Sequence, residues 1–231
     1  MDIGLTVQKI DSSTTVSYTV DRMVNAGFTG RDQEEVRHHL EELRSKGIDV
    51  PEKTPLVYPV IANTLSCAAE IEVYGGETSG EIEYVLLVDD TGRVYVGIGS
   101  DHTCRALEQT DIPRAKQICP NLMAPTVWDL ADVEDHWDDL VMECTVTKDN
   151  REILYQKGGL GLLMSPRELM DFVGSTVKGS LNNTVIFSGT VKMETEAFIY
   201  ADRFSGRLTD TRLNRSLEFS YDIKPMDYMV G

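Results

Sequence analysis

The sequence is poor in basic residues and has no long apolar run, and each deficit excludes a class of function. Its 231 residues contain 22 Lys and Arg against 38 Asp and Glu, which gives a net charge of −16. Contacts with phosphate groups need clustered Lys and Arg, so neither nucleic acid nor an anionic membrane surface is expected as a partner. No segment approaches the roughly 20 apolar residues of a membrane-spanning helix. The segment Met1–Gly4 does not have the composition of a secretory signal, so we expect a cytoplasmic protein.

Cysteine is also sparse, with four residues and no pair at C-x-x-C spacing. A disulfide framework or a structural zinc site is therefore not expected. Hydrophobic residues make up 41% of the chain, which is long enough to bury a substantial core. The abundance of glycine suits a fold with many turns, and we expect an α+β protein that is mostly β.

Only a few segments have helical periodicity. Asp32 to Lys46 is predicted to be a helix that Asp32 caps and Gly47 ends. Ser165 and Glu168 form a capping box, with proline at the first helical position, that opens a helix ending near Val173.

Most other apolar segments have the character of strands. Residues 3–20 alternate like one or two edge strands, and further strands are predicted near 184–188 and 196–201. The prolines of residues 51–61 indicate a connector into the main body. The charged stretch 202–215 is predicted to be rich in turns.

The segment Glu81–Val88 combines a buried strand with two acidic residues at its start. Side chains alternate along a strand, so Glu81 and Glu83 share one face. From Tyr84 onward both faces are apolar, which predicts burial on both sides of the strand.

The turn that follows determines which residues face these acids. A three-residue loop, Asp90-Thr91-Gly92, fits a type I turn with a glycine bulge. In that register Glu83 faces Gly99, and Glu81 faces Asp101. A loop one residue shorter or longer would turn Asp101 to the other face.

Three buried carboxylates around one point need positive charge nearby, and a hard divalent cation supplies it. Glu81, Glu83 and Asp101 are therefore candidate ligands of a divalent metal, with Gly97 and Gly99 leaving space opposite the acids. The alternative is that the two glutamates lie on a solvated strand end.

The residues after Asp101 suggest a charged rim. If Asp101–Thr110 is a short helix, Asp101, Arg105 and Glu108 lie on one face at spacings of four and three residues. An active-site rim and a surface ladder of ion pairs would both have this pattern.

Five segments together resemble the fumarylacetoacetate hydrolase superfamily, in the family's order. Gly80–Leu86 resembles its Glu-x-Glu metal strand, Ser100–Arg105 its Asn-Asp-x-Ser-x-Arg block, Ala115–Leu122 its Lys block before Cys-Pro-Leu, Met164–Leu169 its Phe-Ser-x-x-Glu-Leu helix, and Val185–Thr190 its Val-Ile-x-Thr-Gly-Thr strand.

The resemblance implies a mixed β-roll with short flanking helices, a Mg²⁺ ion (Mn²⁺ or Ca²⁺ being alternatives), a small oxo-acid substrate and a homodimer. It makes Glu81, Glu83 and Asp101 the metal ligands. It also gives catalytic roles to Lys116, Arg105 and Glu108, and substrate-binding roles to Arg105 and Thr190. We expect residues 1–55 to form a strand–helix segment packed on a catalytic domain of residues 56–231.

The sequence departs from the family in one respect that concerns the chemistry. The family's hydrolases activate water with a His–Glu pair upstream of the metal strand, and residues 51–80 contain no histidine. His102 is one candidate for a substitute base.

The expected function is therefore metal-dependent enolate stabilisation on a 2-oxo or diketo acid, leading to C–C hydrolysis, decarboxylation or hydration. One alternative is a non-catalytic metal- or carboxylate-binding protein that has lost the general base. The other is a purely structural network of ion pairs.

Overall fold

A computed structural model describes residues 1–45 and 50–228 of the chain. The predicted helix end at Gly47 lies outside these residues. Seventeen strands are described: β1 (Asp2–Gln8), β2 (Ser13–Thr19), β3 (Arg22–Gly27), β4 (Leu56–Val60), β5 (Leu65–Ser66), β6 (Glu70–Val73), β7 (Thr78–Ser79), β8 (Ile82–Val88), β9 (Val94–Asp101), β10 (Thr103–Cys104), β11 (Asn121–Met123), β12 (Thr126–Asp129), β13 (Val141–Lys148), β14 (Arg151–Gly159), β15 (Thr184–Phe187), β16 (Arg203–Asp210) and β17 (Arg215–Pro225).

Helices are short and few in the described residues. The α-helices are α1 (Gln33–Ser45), α2 (Arg105–Glu108), α3 (Ile112–Ala115) and α4 (Pro166–Thr176), and 3₁₀ segments cover Ala62–Thr64, Leu130–Asp132, Glu134–Asp139 and Leu160–Leu162. Both predicted caps are present: Asp32 accepts hydrogen bonds from the backbone of α1, and Ser165 and Glu168 form the reciprocal capping box of α4. None of these helices has the length and apolar character needed to span a bilayer.

The strands form two main sheets and one small ribbon. The larger sheet has ten strands in the order β2-β1-β12-β9-β8-β15-β3-β4, with β11 paired to β9 and β5 paired to β11. The second sheet has the order β14-β13-β16-β17-β6, and β7 pairs with β10. Parallel pairs such as β3 with β15 and β1 with β12 lie beside antiparallel hairpins, so the larger sheet is mixed, as predicted.

Strand β8 is buried on both faces because it lies between two parts of the core. Ile82, Tyr84 and Leu86 pack in the cluster that contains Phe204 and Tyr221 of the second sheet. Its other face packs against residues of the N-terminal strands, in a separate cluster. The prediction of a strand buried on both sides is confirmed.

One predicted element near the end of the chain is wrong, and another is wrong in part. Residues 196–201 contain no strand. The stretch 202–215, predicted as charged turns, contains β16 and has its turn at residues 211–214, before β17. In β16 the side chains of Phe204 and Leu208 point inward, while Arg203 and Arg207 alternate with them on the outer face. The charges obscured an ordinary two-residue periodicity. The predicted connector at residues 51–61 is also wrong in part, because β4 pairs with β3 in the larger sheet.

One helix prediction also needs correction. The segment predicted to be helical from Asp101 forms the end of β9 and then β10, and its helix begins only at Arg105. The acidic segment 134–139 forms 3₁₀ turns that are kinked at His136.

Gly99 lets another strand, rather than a ligand, approach β9 closely. A Cβ atom at this position would overlap the carbonyl oxygen of Leu122 on β11 and lie 2.8 Å from the Phe187 ring. The sequence-based expectation that Gly99 allows a close approach to the backbone opposite the acids is therefore confirmed, with β11 as the approaching element. The small size of Gly99 allows β11 to pair beside Asp101.

We expect Gly99→Ala to lower the free energy of unfolding by about 1–3 kcal/mol, because the added methyl group meets backbone that cannot rotate away. Urea unfolding measures the change. Gly4→Ala is the control, since nothing lies within 4 Å of a Cβ built there. Equal stability of the two variants would contradict the close approach of β11.

We expect Ser165→Ala to cost about 1 kcal/mol at neutral pH through loss of the α4 cap. Hydrogen bonds from the Ser165 hydroxyl and backbone N–H lower the pKa of Glu168. A carboxylate with a depressed pKa stabilises the fold at neutral pH, and that contribution is lost as the pH falls through its folded-state pKa. The cost of Ser165→Ala, measured by urea unfolding, should therefore shrink in acid.

Ser175→Ala is the control for this pH dependence, because its hydroxyl donates to the backbone carbonyl of Phe172, a group that does not titrate. A cost of Ser165→Ala that stays constant into acid would show that the cap does not act through Glu168.

Candidate metal centre

The β8–β9 hairpin brings together the three carboxylates that the sequence singled out. Gly92 has a φ of +85°, and the Asp89 N–H donates to the carbonyl of Arg93 at 2.9 Å, as the three-residue turn requires. Glu81 and Asp101 exchange backbone hydrogen bonds of 3.2 and 3.1 Å. Oxygens of Glu81, Glu83 and Asp101 all lie within 4.8 Å of one another, so the predicted register is present and the three could hold a metal.

Glu83 is more deeply buried than Glu81. Its side chain accepts a hydrogen bond of 2.9 Å from the backbone N–H of Gly189, at the end of β15. Gly189 has a φ of +87°, a conformation that few other residues adopt. Burial, and then the neighbouring Asp101 carboxylate, raise the pKa of Glu83 well above its ordinary value.

Two buried cations flank the carboxylates. Lys116 forms an ion pair with Asp101, and Arg105 lies 3.3 Å from a Glu81 oxygen and 2.6 Å from a Glu108 oxygen. Burial alone would lower the pKa of Lys116, but the Asp101 carboxylate and the two glutamates raise it above its usual value. Both cations therefore stay protonated across the physiological range.

Arg105 reaches this place by a different route from the predicted one. Asp101 is the last residue of β9. Strand β10, which pairs with β7 in a small ribbon, follows before α2 begins at Arg105. That ribbon places Ser79 where its hydroxyl accepts a 2.7 Å hydrogen bond from Arg105 Nε. The predicted i, i+3 pair of Arg105 and Glu108 is confirmed.

The charges of the cluster favour a divalent cation. With all groups ionised, Glu81, Glu83, Asp101 and Glu108 carry four negative charges, and Lys116 and Arg105 carry two positive charges. The excess is therefore two negative charges, and within the described residues Glu83 pairs with neither cation. An all-oxygen donor set suits Mg²⁺, Mn²⁺ or Ca²⁺. The residues present therefore fit such an ion.

Thr190 lies beside the start of β8. Its hydroxyl donates to the carbonyl of Ile82 at 2.7 Å and accepts from Gln156 Nε2 at 2.7 Å. Gln156 is fully buried, and its amide oxygen also accepts from the Ile82 N–H at 2.9 Å. Thr190 is thus close to the carboxylates, with its hydroxyl already engaged by protein groups.

His102 is directed away from the carboxylate cluster. Its Nδ1 lies 2.9 Å from the Tyr221 hydroxyl, and its Nε2 lies 3.0 Å from the Thr78 hydroxyl. Burial, followed by the charge of Arg105, lowers the pKa of His102 to about 3. The ring is therefore neutral and fully hydrogen-bonded, which does not support its use as the substitute base.

The N-terminal strands contribute residues that carried no signal in the sequence. Asn25 of β3 accepts a 2.9 Å hydrogen bond from the side chain of Asn121, which lies opposite Asp101. Tyr58 of β4 places its ring centre 6.0 Å from Lys116 Nζ. These contacts join segments far apart in the chain, so no local sequence pattern predicts them.

Solved structures match most of the chain at low sequence identity. They include the yeast protein ynq8, a fumarylacetoacetate hydrolase family protein, with a TM-score of 0.61 and 12% identity over 91% of this chain and 96% of that one. A 2-keto-3-deoxy-D-arabinonate dehydratase complexed with magnesium and 2,5-dioxopentanoate matches with a TM-score of 0.62 and 13% identity, over 90% of this chain and 74% of that one. Maleylpyruvate hydrolase from Sphingobium sp. SYK-6 matches with a TM-score of 0.60 and 14% identity, over 92% and 75%.

These structural matches show the fold, and the predicted resemblance to the superfamily is confirmed at the level of the mixed β-roll fold. No curated protein matches the sequence. Residues 26–221 match the family described as "Protein of unknown function (DUF2848)". The chain therefore has the fold of the fumarylacetoacetate hydrolase superfamily and, by a match over most of its length, belongs to the family DUF2848.

Proposed function

We propose that this protein is a divalent-metal-dependent enzyme that acts on a small 2-oxo or diketo carboxylic acid by stabilising an enolate. The observation that carries the proposal is the cluster of Glu81, Glu83 and Asp101, whose oxygens lie within 4.8 Å of one another beside two buried cations. Mg²⁺ is the proposed ion, with Mn²⁺ and Ca²⁺ as alternatives.

The structural neighbours support the substrate class. One is a dehydratase bound to magnesium and 2,5-dioxopentanoate, and another is a maleylpyruvate hydrolase. Both names refer to oxo acids. The positive charge of Lys116 and Arg105 would suit an anionic substrate of this kind.

Each charged residue would have a distinct part in the reaction. A bound divalent ion would supply Lewis acidity toward the oxo and carboxylate oxygens. Lys116 would place a fixed positive charge beside the oxygen on which negative charge develops, and the positive charge of Arg105 would attract the substrate carboxylate. Glu108 would hold Arg105 in position. Thr190 would line the substrate site at the start of β8.

The nature of the base separates this proposal from its alternative. His102 is engaged by Tyr221 and Thr78, and this observation favours a non-catalytic protein that binds metal and carboxylate without turnover. A screen of oxo acids with the metal-loaded protein distinguishes the two, because only an enzyme consumes its ligand. The homodimer and the cytoplasmic location expected above stay predictions.

Binding of Mn²⁺ with and without oxalate, measured by calorimetry, tests the metal centre. Oxalate mimics the enolate of a 2-oxo acid, and we expect it to tighten Mn²⁺ binding by the wild type. We expect Glu83→Gln, which keeps the shape and removes a ligand charge, to weaken Mn²⁺ binding by at least about tenfold, roughly 1.4 kcal/mol.

Glu143→Gln is the matched control, because Glu143 lies on β13 and pairs with Lys157 at 2.9 Å, outside the cluster. No Mn²⁺ binding by the wild type would refute the metal centre, and the ion-pair network would then be purely structural.

Lys116→Met should affect Mn²⁺ binding and oxalate binding in opposite directions. Removing this cation takes away repulsion toward a metal, so Mn²⁺ should bind at least as tightly as in the wild type. Oxalate should tighten that binding about tenfold less, because an attractive charge is lost. The same calorimetric titrations measure both effects. Parallel weakening of both ligands would show that Lys116 only maintains the fold.

A further inference from the structure

Strand β14 contains a β-bulge that directs two consecutive side chains into the protein. Cys144 pairs with Gln156 and Thr145 pairs with Leu154, so Tyr155 has no partner on β13. In a regular strand neighbouring residues point to opposite faces, but a bulge reorients one of them. Tyr155 and Gln156 are both buried, with 1% and 0% of their surface exposed.

The bulge lies next to the first residues of the metal strand. Gln156 accepts a hydrogen bond from the Ile82 N–H at 2.9 Å, directly after Glu81, and donates to Thr190 at 2.7 Å. These bonds anchor β14 beside the carboxylate cluster. The side chain of Tyr155 is buried next to that of Gln156.

The Tyr155 hydroxyl has no hydrogen-bond partner within residues 1–45 and 50–228. The Ser79 hydroxyl and the Ile199 backbone are close enough to influence its pKa, but neither meets the geometry of a hydrogen bond. An unpaired buried hydroxyl destabilises a fold, and phenylalanine would fill the same space without that cost. A ligand that binds beside Tyr155 would supply the hydrogen-bond partner that this hydroxyl lacks in the free protein.

The surroundings indicate where that partner would come from. The Ser79 hydroxyl, which lies near that of Tyr155, accepts a 2.7 Å hydrogen bond from Arg105 Nε. The Tyr155 hydroxyl therefore lies on the Arg105 side of the carboxylates. Phe198, in the segment between β15 and β16, lies on this side: its ring centre is 4.4 Å from the Arg105 guanidinium, and the residue is 42% exposed. A ligand that displaces Phe198 would gain access to Arg105 and then to Tyr155.

We propose that Tyr155 is a specificity-determining residue whose hydroxyl donates a hydrogen bond to a second oxygen function of the substrate, such as the C4 carbonyl of a 2,4-dioxo acid. This inference rests on the proposed function and narrows its substrate class. Burial raises the pKa of Tyr155, so the phenol keeps its proton and can donate. Substrates without that oxygen would bind more weakly, because they leave the Tyr155 hydroxyl unpaired.

The test compares two ligands of equal chain length that differ by one carbonyl oxygen. Binding of 2,4-dioxopentanoate and of 2-oxopentanoate to the Mn²⁺-loaded protein is measured by calorimetry for wild type and Tyr155→Phe. We expect the variant to lose about tenfold in affinity for the dioxo acid and to bind the mono-oxo acid unchanged. Its melting temperature should equal or exceed that of the wild type.

Tyr18→Phe is the matched control, because the Tyr18 hydroxyl donates to the carbonyls of Val88 and Thr184 at 2.9 Å each. That variant should lose stability and retain the wild-type preference between the two ligands. Equal effects of Tyr155→Phe on both ligands, or no effect on either, would overturn the specificity role while leaving the metal site intact. A lower melting temperature of Tyr155→Phe would overturn it as well, since the hydroxyl would then be bonded in the free protein. Failure of Mn²⁺ and both ligands to bind the wild type would overturn the proposed function and this inference together.

Discussion

The hydrogen-bond register of the β8–β9 hairpin is the constraint on which the candidate metal centre depends. Its three-residue turn places Glu81 opposite Asp101 and Glu83 opposite Gly99. A slip of one residue would send Asp101 to the face occupied by Ser100 and His102, where Tyr221 lies. The ribbon and helix that carry Arg105 follow directly from the end of β9, so they would move with it.

Within that register, the charged groups depend on each other. Lys116 and Arg105 are 7% and 3% exposed, a degree of burial that a cation tolerates only beside carboxylates. The carboxylates in turn outnumber the cations, and Glu83 accepts a backbone hydrogen bond while the charge of Lys116 offsets part of its own. The fold therefore holds these charges in fixed positions, which is the preorganisation that the proposed enolate chemistry would require. The same excess of negative charge destabilises the fold, as functional sites commonly do.

The sequence was most informative about the local structure of the β8–β9 hairpin. The turn composition around Gly92 predicted the hairpin register, and the alternation of Glu81 and Glu83 predicted a shared face; Lys116 and Thr190 came from the family resemblance instead. Long-range features were not predictable: a bulge at Tyr155 depends on how β13 and β14 pair, and the Asn25–Asn121 contact joins residues 96 apart. The alternating charges of β16 concealed a strand because Arg203 and Arg207 lie on its outer face, and local composition alone cannot reveal which face meets water.

The hydrogen bond from Gly189 to Glu83 has a consequence for the order in which the centre can assemble. The three carboxylates and both cations lie between Glu81 and Lys116, whereas Gly189 follows Lys116 by 73 residues. During synthesis the hairpin therefore leaves the ribosome well before the strand that carries this donor, and Thr29, which donates to the carbonyl of Ser188, must wait for the same strand. For that interval the nascent hairpin presents Glu83 without its backbone donor, so the final arrangement of the centre is completed only when β15 pairs with β8.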